Sequence, residues 1–165
     1  MSRKIAKGLT SLEILGIAVK AERDAARFYT RFADRITNPM ARSKFKALAS
    51  QERGHEKLLL REYKRLSGED KPPLPKAYVP EVDFKVFDEM KLTELLKIAI
   101  QMEKNAQKLY AEAAKMTTDP SGRTMLEYLV DFERGHQRQL ESELKFLTKE
   151  PDLYDKDSIL IHVGP

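Results

Sequence analysis

The sequence predicts an all-α protein, a four-helix bundle built from two repeated helical hairpins. Three observations predict it. Gly and Pro cut the chain into four long segments that they otherwise largely spare. Within each segment apolar residues recur at steps of three and four, the spacing of one helix face. A shift of 81 residues lays 12–66 onto 93–147 without a gap, and more than a third of the 55 pairs are then identical.

The first helix occupies residues 11–37, with the stripe Ile14, Ala18, Glu22, Ala25, Tyr29, Phe32 and Ile36. Thr10 or Ser11 can cap it, and Thr10 and Glu13 have the spacing of a capping box. Thr37-Asn38-Pro39 is a turn signal. The second helix, 40–66, carries Phe45, Leu48, Glu52, His55, Leu59 and Leu66 and stops at Ser67-Gly68. Residues 67–92 hold Pro72, Pro73, Pro75 and Pro80 and read as a long crossover. Periodicity returns with Leu95, Ala99, Glu103, Ala106 and Tyr110, ending at Thr118-Asp119-Pro120. The fourth helix, 121–147, carries Leu126, Leu129, Glu133, His136, Leu140, Leu144 and Leu147. Each helix is about 26 residues, roughly 39 Å long. The bundle therefore spans 1–147, and 148–165 is a tail whose Ile159-Leu160-Ile161 patch suits docking on the bundle or on another chain. His162 reads as a solvent or docking residue.

Composition narrows the function. With 165 residues, 41% hydrophobic and 34% charged, the chain fits one full-sized core under a charged surface. No apolar run approaches the roughly 18 residues of a membrane span, and Met1–Gly8 is basic without the apolar stretch of a secretion signal. A cytoplasmic protein with no membrane partner is expected. The absence of Cys removes disulfides, thiolate catalysis, iron–sulfur clusters and Cys-bound zinc. A net charge of +4, spread without any basic block interleaved with aromatics, argues against nucleic acid as a partner.

The anomaly is where the acids lie. Glu22, Glu52, Glu103 and Glu133 interrupt apolar stripes instead of polar faces. A carboxylate in a bundle core costs several kcal/mol unless compensated, and four together repel one another. Glu22 and His55 are equidistant along the chain from the Asn38–Pro39 junction, so an antiparallel hairpin brings them to one level. Glu52 lies one turn from His55 on the same face. The same holds for Glu103, His136 and Glu133 about Asp119–Pro120. Two helices then each supply a Glu and two each supply Glu-x-x-His, the plan of di-iron and di-manganese carboxylate bundles.

Four carboxylates balance two divalent ions. Hard oxygen donors with imidazole suit iron and manganese alike; iron is the expected metal, with manganese as the alternative. Ala18, Ala25, Ala99 and Ala106, about one turn from the ligating acids, leave room for metals and a small oxidant. The rival reading is a duplicated hairpin whose acids pair with Arg or Lys across the bundle. Against it, no Lys or Arg falls on the inner stripes at the Glu level, and Arg53 and Arg134 point away. Tyr29 and Tyr110, two turns from Glu22 and Glu103, read equally as donors that orient ligands or supply electrons and as ordinary core tyrosines. Glu62 and Glu143 repeat too, and suit ion pairs better than ligation. Gly54 and Gly135, inside helices at matched positions, suggest close helix packing near the site.

Both halves together, roughly 12–147, resemble the di-iron domain of the rubrerythrin family within the ferritin-like superfamily. The resemblance is carried by Ala21-Glu22-Arg23-Asp24-Ala25-Ala26-Arg27-Phe28-Tyr29, by Glu52 with His55, by Glu103 followed by Tyr110, and by Glu133 with His136. It implies a ferritin-like bundle with a left-handed crossover between its second and third helices. It also implies two-electron chemistry on hydrogen peroxide or oxygen, with iron cycling between ferrous and ferric, in defence against oxidative stress. Two departures follow. Rubrerythrins proper carry a rubredoxin domain with four Cys ligands, absent here, so an external electron donor protein is required. They also have an extra Glu one turn after the third-helix ligand, where this chain has Ala106, so a six-ligand, more symmetric site is expected.

Two other functions stand beside the oxidoreductase: a ferroxidase or iron-sequestration module, and a non-enzymatic helical scaffold. The resemblance implies a homo-oligomer such as a dimer, and the crossover is long enough for hairpin exchange between chains.

Overall fold

A computed structural model describes residues 10–73 and 87–154. It has four helices, α1 (Ser11–Asp34), α2 (Pro39–Ser67), α3 (Leu92–Met116) and α4 (Pro120–Lys149), followed by a 3-10 turn, Pro151–Tyr154. The Ile159-Leu160-Ile161 patch, His162, the basic N-terminus and the middle of the crossover lie outside the described residues.

Local chemistry sets the helix ends. Thr10 caps α1 through the expected box: its hydroxyl accepts from the Glu13 amide, and the Glu13 carboxylate accepts from the Thr10 amide at 2.7 Å. At the start of α2, Asn38 Oδ1 accepts from the amides of Met40 and Ala41 at 3.0 and 3.1 Å. Asp119 Oδ2 does the same for Gly122 at the start of α4. In both places Pro follows the cap, where its missing N–H has no helical partner to lose. Gly68 ends α2 at φ +78°, a left-handed conformation that glycine adopts without a Cβ penalty.

α1 packs along α2, α3 along α4, and α1 against α3. Phe32 and Ile36 near the end of α1, Phe45 near the start of α2, Leu95 and Leu96 at the start of α3, and Leu147 late in α4 share one buried cluster. The second cluster takes the opposite ends: Ile14 and Leu15, Leu59 and Tyr63, Tyr110 and Ala113, Leu126 and Leu129. α2 and α3 therefore run in the same direction, which is what the long crossover accomplishes. Its described ends meet α1 near both termini, at Gly16 beside Pro73 and at Phe28 beside Phe87. The polar mid-helix positions fall between the two apolar clusters.

The start of the tail docks. Tyr154 accepts from the Asn38 amide at 2.8 Å through its carbonyl, meets Phe45 edge-on and donates its hydroxyl to Glu143. Glu143 also pairs with Lys44, and Glu62 with Arg65, so the repeated acids are buried ion-pair partners. Two expectations fail. Leu66 is 40% exposed, and Glu62 and Tyr63 take the buried places on that turn. Gly54 and Gly135 support no close packing: a Cβ built at either meets nothing within 4 Å among the described residues. Gly54→Ala is therefore expected to stabilise the metal-free protein by about 0.5–1 kcal/mol through helix propensity. A denaturant midpoint that falls instead would show that something fills the space.

Candidate metal centre

Six side chains meet midway along the bundle, and all are buried: Glu22 from α1, Glu52 and His55 from α2, Glu103 from α3, and Glu133 and His136 from α4. They form two overlapping groups. Glu22, Glu52, His55 and Glu133 can bring one donor atom each within 4.8 Å of one another, as can Glu52, Glu103, Glu133 and His136. Glu52 and Glu133 belong to both. Two groups that share two carboxylates suit a pair of metal ions held side by side.

The imidazoles face inward through Nδ1. His55 Nδ1 lies 3.0 Å from Glu52 Oε2, 3.0 Å from Glu133 Oε1 and 3.5 Å from Glu22 Oε2. His136 Nδ1 mirrors this, at 3.0 Å from Glu133 Oε2, 3.0 Å from Glu52 Oε1 and 3.8 Å from Glu103 Oε2. Each Nδ1 can direct a proton at only one oxygen. Glu52 Oε1 and Glu133 Oε1 are left with no well-directed hydrogen bond, although both are fully buried. Among the described residues, no Lys or Arg pairs with any of the four acids. Arg53 donates to Thr30 and Arg134 to Asp131, both away from the centre. The rival reading, acids paired with basic side chains, therefore fails. Buried carboxylate oxygens that accept no hydrogen bond from the protein fit a divalent cation.

The tyrosines resolve into hydrogen-bond donors, with crossed partners. Tyr29 of the first hairpin donates to Glu103 Oε1 of the second, and Tyr110 donates to Glu22 Oε1. Neither ring is exposed to solvent. Each hydroxyl leaves one carboxylate oxygen free to face the centre.

Without a cation the cluster must balance itself with protons. Burial, reinforced by Glu52 and Glu133, holds Glu22 and Glu103 well above the usual carboxylate range. Burial opposes charge on the imidazoles, but the surrounding carboxylates outweigh it, raising His55 to about 12 and His136 to about 9. Burial also opposes charge on Glu133, yet the two imidazoles bring it down to about 2. Two acids thus stay neutral while two carboxylates face two imidazolium rings.

Sequence reasoning missed two further contacts. The Gln51 carboxamide oxygen lies 3.0 Å from His136 Nε2. The Phe132 ring stands edge-on to His55, with centroids 4.8 Å apart. The available signal was a break in the repeat: Gln51 and Phe132 are paired by the 81-residue shift yet differ, directly before the Glu-Arg-Gly-His run that both halves share.

The rubrerythrin family model matches residues 13–144. No curated protein matches the chain. Solved structures do. A hypothetical protein of Pyrococcus furiosus is 29% identical with a TM-score of 0.76, over 88% of this chain and 94% of that one. A putative ferritin-like diiron-carboxylate protein of Thermotoga maritima is 24% identical with a TM-score of 0.70, over 87% and 97%. Rhodobacter capsulatus bacterioferritin is 22% identical with a TM-score of 0.69, over 94% of each chain. The latter two support the ferritin-like bundle alone. With four helices in ferritin-like order and the family model spanning both hairpins, this chain belongs to the rubrerythrin family.

Proposed function

We propose that Glu22, Glu52, His55, Glu103, Glu133 and His136 hold two iron ions, with manganese as the alternative metal, and that the centre reduces hydrogen peroxide or oxygen. The observation that carries the reading is the pair of buried oxygens on Glu52 and Glu133 that accept no hydrogen bond, on the two acids common to both donor groups. Family membership supports the redox chemistry. When bound, a ferrous pair supplies two electrons, so one H2O2 and two protons become two waters as both irons become ferric.

The chain's own residues do the rest. Glu22 with His55 would hold one ion and Glu103 with His136 the other, and Glu52 and Glu133, common to both donor groups, would serve both. Tyr29 and Tyr110 fix the terminal carboxylates from opposite hairpins. The apolar clusters at both ends exclude bulk water. Because the sequence has no Cys, electrons to regenerate the ferrous state come from a separate donor protein.

Anaerobic ferrous protein mixed rapidly with peroxide or with oxygen tests this. Oxidation of two irons per peroxide, faster than with oxygen, is the expected result. Faster reaction with oxygen, followed by mineral growth, would make the protein a ferroxidase. No oxidation by either would leave a scaffold.

A further inference from the structure

We infer that Gln51 makes the two metal positions inequivalent, so that the ion beside His136 is held more tightly than the ion beside His55. This rests on the proposed metal centre and concerns what lies on the far side of its imidazoles. The inner shell is almost perfectly duplicated: each Nδ1 has two carboxylate oxygens at 3.0 Å and a more distant terminal Glu. The outer side is not. Gln51 on α2 reaches across to α4, where its Oε1 lies 3.0 Å from His136 Nε2. Its repeat mate, Phe132 on α4, reaches across to α2 and presents a ring to His55 at 4.8 Å and 85°. The two residues occupy equivalent places, one offering an acceptor and the other a hydrocarbon edge.

With Nδ1 turned to the metal, Nε2 carries the proton. At His136 that N–H donates to the carboxamide, which fixes the tautomer, locks the ring and raises the basicity of Nδ1. At His55 Phe132 accepts nothing of comparable strength. Phe132 also stands edge-on to His136, at 5.6 Å, so it serves as an apolar wall to both rings. Loss of such an outer partner typically weakens metal binding about 10- to 100-fold. Gln51 is exposed, so its carboxamide is partly in water and the lower end, about tenfold, is expected.

Gln51 is thus a positioning residue, and Co2+ is a suitable probe because its visible bands and shifted ligand protons report each site without turnover. Titration of the metal-free protein should show two steps. The first should bring a slowly exchanging, paramagnetically shifted imidazole N–H from His136, and the second a rapidly exchanging one from His55. Gln51→Leu should lower the first step about tenfold and abolish the protected N–H resonance. Gln51→Glu, which keeps an acceptor, should retain both, and Phe132→Gln should raise the second step towards the first. Uptake of two Co2+ ions in one step, with Gln51→Leu moving neither affinity nor the N–H signal, would overturn the inference and leave the metal centre intact. Failure to bind Co2+ at all would overturn the metal centre, and this inference with it.

Discussion

Glu133→Gln is expected to strip both metal ions from the protein, whereas Glu22→Gln should strip one. The difference follows from sharing. Glu133 belongs to both donor groups, with Oε1 towards His55 and Oε2 towards His136, and Glu52 is its mirror image. Glu22 belongs to one group and Glu103 to the other. Both changes lower the total carboxylate charge equally, but neutralising a shared acid weakens a donor in each position, whereas neutralising Glu22 weakens one position alone. Breaking one partner of a buried charge cluster costs about 3–5 kcal/mol, two to three orders of magnitude or more in affinity. Glu52→Gln should match Glu133→Gln, and Glu103→Gln should match Glu22→Gln. Elemental analysis after gel filtration reads the result directly, as about zero against about one ion per chain. Equal losses from Glu133→Gln and Glu22→Gln would show that the acids do not bridge.

All four helices and all six clustered residues could be read from the sequence because both depend on periodicity along a chain. An acid on an apolar stripe announces itself one residue at a time, and distance from a turn sets its level. The cap at Thr10 was equally local, whereas Asn38 and Asp119 read only as turn residues and proved to be the caps of the helices that follow. What periodicity cannot supply is the rotation of one helix about its axis relative to another. Hence the sharing of Glu52 and Glu133 was not legible, nor was the crossing of Tyr29 to Glu103 and Tyr110 to Glu22. The same gap explains Gly54 and Gly135. Matched glycines suggested contact, but their positions face open space, while Gly16 and Gly122 are the crowded ones, where a Cβ would come 2.9 Å from the Pro73 carbonyl oxygen and 2.8 Å from Glu62 Oε1. Tyr154 was missed because a single aromatic in a Pro-containing tail has no period at all.

Metal binding should release protons, up to four per chain, and the metal-free and loaded proteins should respond to pH in opposite directions. In the metal-free state Glu22 and Glu103 keep their protons, and His55 and His136 are imidazolium rings facing Glu52 and Glu133. The net charge of the six is zero. With two divalent ions, four carboxylates and two neutral imidazoles it is zero again. The two states differ by one proton each from Glu22, Glu103, His55 and His136.

The sign on stability follows from the raised values. For His136, the contribution in metal-free protein is fully present below the ordinary histidine value of about 6.5, and is lost as pH rises through about 9. The raised Glu22 and Glu103 act in the same sense. Glu133 acts oppositely, its contribution being present above the ordinary carboxylate range and lost as pH falls towards about 2. Metal-free protein should therefore weaken from pH 6.5 to 9, where protons become scarce. Loaded protein should weaken as pH falls, because protons compete with the metal for Nδ1 and for the carboxylates. At metal concentrations of 100 Kd, each site adds about 2.7 kcal/mol, roughly 5–10 °C in Tm for a chain of this size. Melting curves with chelator and with two equivalents of Mn2+ should accordingly diverge as pH rises. Parallel curves, or metal uptake in weak buffer without acidification, would show that protons do not stand in for the metal.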